Sequence, residues 1–116
     1  GSTGIDTVTV NGTDAANVFT ISRTGITIDS ESVTYTNVET LTVNGRGGND
    51  AVTVNGTFGA TAINGGDDSD TFNIRALSFD TTINTGSGVN RINVGSAVLP
   101  SAGNVNSIGG KLTVFT

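Results

Sequence analysis

The stretch TAINGGDDSDTFNI, residues 61–74, reads as strand, glycine turn and strand, and its two neighbours repeat it. LTVNGRGGNDAVTV (41–54) precedes it by 20 residues and TTINTGSGVNRINV (81–94) follows it by 20. Val43, Ile63 and Ile83 fall in one column, and Asn44, Asn64 and Asn84 fill the next. Asp50, Asp70 and Asn90 share another, followed by Val52, Phe72 and Ile92. An earlier copy, VTVNGTDAANVFTI (8–21), aligns at an offset of 33 through Val10, Asn11, Asn17, Phe19 and Ile21. Self-similarity at a fixed period marks a repeat architecture. Alternation such as Val52-Thr53-Val54 sends every second side chain inward, as a half-buried strand requires.

Two all-β folds compete for this pattern. Strands with turn signals every 8–12 residues suit an antiparallel β-sandwich. Columns of like residues at a constant offset favour a right-handed parallel β-solenoid with coils of about 20 residues, stacked at about 4.8 Å. The solenoid is the expected fold, with apolar columns as core and an asparagine column able to run amide hydrogen bonds from coil to coil. Residues 1–116 are read as one such unit. Residues 22–40 break the period as a flanking hairpin or a wider coil, and residues 95–110 form a small-residue loop. KLTVF (111–115) resembles TLTVN (40–44), and residues 1–9 share the Gly-x-x-Gly-x-Asp shape of 45–53. The unit is therefore expected to belong to a tandem array, with its first and last strands at opposite ends.

Composition narrows the function. The 116 residues carry 13 % charge, 5 % aromatics, 17 glycines and no cysteine, histidine, methionine or tryptophan. Abundant Val, Ile and Thr argue for an ordered β protein. A net charge of −5 provides no basic patch for nucleic acid. No apolar run reaches the roughly 18 residues of a membrane span. Without histidine or cysteine, the usual triads and zinc sites have no ligands. Asp67, Asp68 and Asp70 sit in a glycine turn whose solvation would leave them without the raised pKa that an acid catalyst needs. The chain is thus expected not to be an enzyme. Threonine ladders of the ice-binding kind would need a regular Thr-x-Thr, which the mixed outward positions lack. The two Asn-Gly-Thr sequons, at 11–13 and 55–57, are matches that such a composition produces by chance.

Residues 65–73, GGDDSDTFN, resemble the G-G-x-G-x-D-x-U-x repeat of hemolysin-type (RTX) β-rolls at both glycines, the aspartate and the apolar position. Residues 45–53 keep two glycines and the aspartate, 85–93 substitute Asn90, and 12–20 substitute Asn17. The turns also resemble the Thr/Asn/Gly-rich repeats of very large bacterial surface and secreted proteins. The resemblance implies Ca²⁺ as cofactor, held by Asp50 and Asp70 first, then by Asp67, Asp68, Asn90 and Asp6. Stacked Gly-Asp turns offer the hard oxygens that calcium takes at 2.3–2.6 Å. The departure is spacing, because β-roll loops recur about every nine residues. The competing reading keeps Gly, Asn and Asp as turn formers only.

The expected role is a non-enzymatic structural module of a bacterial extracellular or cell-surface protein or filament, a rod-like spacer that stacks end-to-end with copies of itself. The alternative is an adhesin module that binds a glycan or a partner cell surface through outer loops such as 95–109. Neither nucleic acid nor membrane insertion is expected.

Overall fold

A computed structural model describes residues 4–95 and 108–116. Within them the chain is all β, with β1 (Thr7–Asn11), β2 (Val18–Ile21), β3 (Gly25–Ile28), β4 (Glu31–Thr34), β5 (Thr40–Arg46) and β6 (Ala51–Val54). They are followed by β7 (Ala60–Gly66), β8 (Thr71–Ile74), β9 (Thr81–Asn84), β10 (Arg91–Val94) and β11 (Leu112–Phe115). β2, β3 and β4 share one sheet, and from β4 onward successive strands alternate between two sheets. One has the order β1-β5-β7-β9-β11 and is parallel throughout. The other has the order β10-β8-β6-β2-β3-β4. It is parallel from β10 to β2 and antiparallel from β2 through β3 to β4.

This corrects the expected fold class. The chain does not form a single parallel β-solenoid: two sheets pack on each other, and the six-stranded one is mixed. The arrangement is sandwich-like, as the alternative had it, although most of its pairings are parallel. The cause lies in residues 22–40, which form the flanking hairpin. Asp29 takes a positive φ of 53°, which a short polar side chain tolerates, and the tight reversal folds β4 back along β3. The two antiparallel strands β3 and β4 thus extend this sheet past β2, where no repeat matches them.

The 20-residue spacing appears residue for residue in the pairing. Val43, Ile63 and Ile83 are direct partners, as are Asn44, Asn64 and Asn84. β1 joins at the offset of 33, with Val10 beside Val43. That pairing overrides the likeness of 1–9 to 45–53, because it puts β1 in the sheet of β5 and not of β6 (residues 1–3 lie outside the described residues). β11 falls beside β9, with Leu112 next to Thr81, so KLTVF does occupy the column of TLTVN. β1 and β11 are the two edges of the five-stranded sheet.

The core lies between the sheets. Leu41, Val43, Ile63 and Ile83 enter it from one side, and Phe19, Ile21, Val52, Val54, Phe72 and Ile74 from the other. Each fully buried side chain of this size contributes about 1.5–3 kcal/mol relative to exposure. On the outer face, Asn44 Nδ2 donates to Asn11 Oδ1, Asn64 Nδ2 to Asn44 Oδ1, and Asn84 Nδ2 to Asn64 Oδ1, at 2.8–3.0 Å. The amides thus lock the register that the apolar columns select. Of the loop at 95–110, residues 96–107 lie outside the described residues. Its return is fixed where Ile108 bridges Leu77 and Gly109 N–H donates to the Leu77 carbonyl at 2.7 Å.

Candidate functional site

The turns 45–50, 65–70 and 85–90 carry the chain from one sheet to the other and stack in register. Each needs left-handed backbone at two positions, Arg46, Gly66 and Gly86 in one column and Gly48, Asp68 and Gly88 in the other. Gly45 and Gly65 face inward. A Cβ on Gly45 would sit 2.5 Å from Asp50 Oδ2 and 2.4 Å from the Gly65 carbonyl. A Cβ on Gly65 would sit 2.6 Å from Asp70 Oδ2. The Gly-x4-Asp spacing therefore has a steric origin, in that the carboxylate folds back beneath the glycine of its own turn.

Asp50 and Asp70 are buried, 2 % and 1 % exposed. They belong to a ladder that links successive repeats. Asn17 N–H donates to Asp50 Oδ1 at 2.7 Å, Asp50 N–H to Asp70 Oδ1 at 2.8 Å, and Asp70 N–H to Asn90 Oδ1 at 2.8 Å. The structure thus brings Asp50, Asp70 and Asn90 into one column, as the repeat alignment implied. A protein hydrogen bond, however, already spans the interval between Asp50 and Asp70.

The remaining oxygens differ from the amide that ends the ladder. Asp50 Oδ2 and Asp70 Oδ2 are buried without a hydrogen-bond partner. In Asn90 the corresponding atom is Nδ2, which donates to the Thr85, Gly86 and Ser87 carbonyls at 3.3, 3.4 and 3.1 Å. Desolvation lifts the Asp50 pKa to about 6, with the Asn17 N–H opposing it and the charges of Asp70, Asp29 and Asp68 adding to it. Desolvation also raises Asp70, opposed by the Asp50 N–H and reinforced by Asp68. At each interior turn a buried oxygen calls for a proton or a cation. This departs from the solvated turn that composition suggested.

The other expected ligands lie apart. Asp67 and Asp68 are exposed at the turn tip, where Asp67 Oδ1 accepts the Ser87 hydroxyl at 3.0 Å and Asp68 Oδ2 accepts Gly48 N–H at 2.9 Å. Asp6 stands at the opposite end of β1 from the turns, its N–H donating to Glu39 Oε2 at 2.8 Å. Among the described residues no three acidic side chains gather as a metal cluster. Asp29 is the participant that sequence reasoning missed. Its Oδ1 accepts Val18 N–H and its Oδ2 accepts Asn17 Nδ2, both at 2.9 Å, which closes the ladder at its first repeat. Its only signal is an aspartate directly after the alternating Ile26-Thr27-Ile28.

The last repeat is built differently from the others. The core columns run out at β10 and β11, leaving Val94 44 % and Val114 38 % exposed, and Phe115, 56 % exposed, takes the place beside Asn84 in the outer asparagine column. Beside them the end turn lines a cavity of about 450 Å³ with Thr85, Gly86, Gly88, Asn90, Ile92 and Thr116. At the other end of the six-stranded sheet, the β3–β4 hairpin extends past β2. Compared with protein-family models, curated proteins and solved structures, the chain matches none.

Proposed function

We propose that the chain is a non-enzymatic binding module, adhesive in kind, of a large bacterial extracellular or surface protein, and that it holds its partner through the β10/β11 end. The observation that carries this reading is the exposure of Val94, Val114 and Phe115 on two strands that form sheet edges. An edge strand presents a row of hydrogen-bonding groups that pairs readily with another strand. Added strands would also continue the columns Ile83–Val114 and Ile74–Val94 and bury what they now expose. The extents of 42 × 34 × 27 Å do not single out a rod, so binding is a better-supported role than spacing. A second copy is the simplest partner to test. Sedimentation velocity across a concentration series should show association of the native chain and its loss in a Val94→Lys/Val114→Lys double variant. Equal behaviour of the two would overturn the reading.

The unpartnered Asp50 and Asp70 oxygens favour one addition, namely calcium as their charge partner at neutral pH. Each turn would supply one carboxylate oxygen together with backbone carbonyls, the hard donors that Ca²⁺ takes. A ligand selective for the native state raises Tm. Calorimetry at pH 7 should show a higher Tm with millimolar Ca²⁺ than with chelator, and a smaller difference after Asp70→Asn. No difference leaves the aspartates as turn formers whose neutral form is held by burial.

A further inference from the structure

Interior repeats satisfy one another through paired carboxylates. Gly48 N–H donates to Asp68 Oδ2 at 2.9 Å and Asp50 N–H to Asp70 Oδ1 at 2.8 Å. A single Asp-Ser-Asp segment, residues 68–70, thereby covers two backbone donors two residues apart. In the end turn, Gly88 and Asn90 occupy the positions of Gly48 and Asp50. The register is fixed, because Ser87 N–H donates to the Gly66 carbonyl just as Asp67 N–H donates to that of Arg46. Gly88 also repeats the left-handed backbone of Gly48, φ 91° against 85°. Among the described residues no repeat follows, and neither the Gly88 nor the Asn90 N–H has a hydrogen-bond partner. Both residues line the 450 Å³ cavity.

We propose that this cavity binds a peptide segment bearing Asp-x-Asp, whose two carboxylates accept the N–H groups of Gly88 and Asn90. The inference deepens the binding reading above and rests on it. The Val89 N–H between Gly88 and Asn90 donates back to Ser69 Oγ at 3.1 Å, so the two unbonded donors alternate along the turn as those of Gly48 and Asp50 do. Hydrogen bonds to a carboxylate are charge-assisted and stronger than neutral ones. Ile92 supplies an apolar wall where the side chain two residues beyond the second acid would lie, since Phe72, two residues beyond Asp70, pairs with Val52, whose place Ile92 takes in the end repeat. The net charge of −5 opposes an acidic ligand, so the test belongs at physiological ionic strength, where screening acts over about 8 Å.

The probes are a capped Gly-Asp-Ser-Asp-Thr peptide, its Gly-Asn-Ser-Asn-Thr counterpart and inorganic phosphate, each titrated into ¹⁵N-labelled protein. With the acidic peptide, the Gly88 and Asn90 amide protons should move downfield and exchange with solvent about ten-fold more slowly at saturation. The Asn peptide should bind at least ten-fold more weakly. Ile92→Glu, which places a like charge in the cavity, should weaken the acidic peptide about ten-fold. An unchanged pair of amides at millimolar peptide, or equal responses to the two peptides, would overturn the proposal. A matching response to phosphate would overturn it too, leaving an adventitious ion only. The peptides are too short to extend along β11, so they report on the cavity alone. The edge reading stands or falls separately on the Val94→Lys/Val114→Lys comparison.

Discussion

Turns 65–70 and 85–90 share one backbone path and one ladder, yet they settle their hydrogen bonds in opposite ways. The interior turn donates Asp70 N–H to the next repeat and keeps a carboxylate oxygen buried without a donor. The end turn closes on itself through the Asn90 amide and leaves the N–H groups of Gly88 and Asn90 without a partner beside a cavity that both residues line. The Asn90 amide therefore satisfies its turn internally, whereas a carboxylate in that place does so only with a proton or a cation.

The comparison is tested most strongly in the core. Phe72 is fully buried in the interior, and its partner Ile92 is half-buried at the end. Phe72→Ala should cost about 3–5 kcal/mol in urea unfolding, and Ile92→Ala well under half of that. Equal losses would mean that something covers the β10 edge.

Exchanging the two turn chemistries is the next test. Asn90→Asp at pH 7 removes three donated hydrogen bonds and should cost about 1–3 kcal/mol by denaturant unfolding. In calcium-free buffer at the same pH, Asp70→Asn should raise stability by about 1 kcal/mol, because the new amide can donate where Oδ2 has no partner.

Titration gives a third test. The folded-state pKa of Asp50 lies near 6, above its ordinary value of 3.8, and that of Asp70 is also raised. The native state therefore binds protons more tightly than the unfolded chain. This contribution is fully present below the ordinary carboxylate value and is lost as pH rises through about 6. In calcium-free buffer, the Asp50→Asn/Asp70→Asn variant should lose that decline between pH 4 and 7. A decline of unchanged size would point to other groups.

The smallest effect concerns strain. Arg46 holds a left-handed φ of 83° in the column that its neighbours fill with Gly66 and Gly86. Its contact with Asp14 is a 3.9 Å approach between exposed groups and contributes little. Arg46→Gly should therefore gain up to about 1 kcal/mol, visible as a higher Tm.

Much of this architecture was legible in the residues. Columns such as Val43–Ile63–Ile83 and Asn44–Asn64–Asn84 are pairing registers written directly into the sequence, because parallel strands place equivalent residues side by side. Residues 25–34 were not legible as a change of sheet type. Two alternating strands around a polar turn fit a hairpin or a wide coil equally well, and only the pairing of β3 with β2 decides between them. The column of Asp50, Asp70 and Asn90 was also visible. What each carboxylate oxygen faces was not, since it depends on the inward Gly45 and Gly65 as much as on the acids. The open β10/β11 end had no sequence signal at all, because Val94 and Val114 look like every other core position.

Amide hydrogen exchange at the stacked turns tests the account most directly. The Gly48, Asp50 and Asp70 amides donate to the following repeat and should be strongly protected. Those of Gly88 and Asn90 should exchange at least a hundred-fold faster in the free chain. Equal protection of Gly88 and Asn90 in the absence of a partner would contradict it.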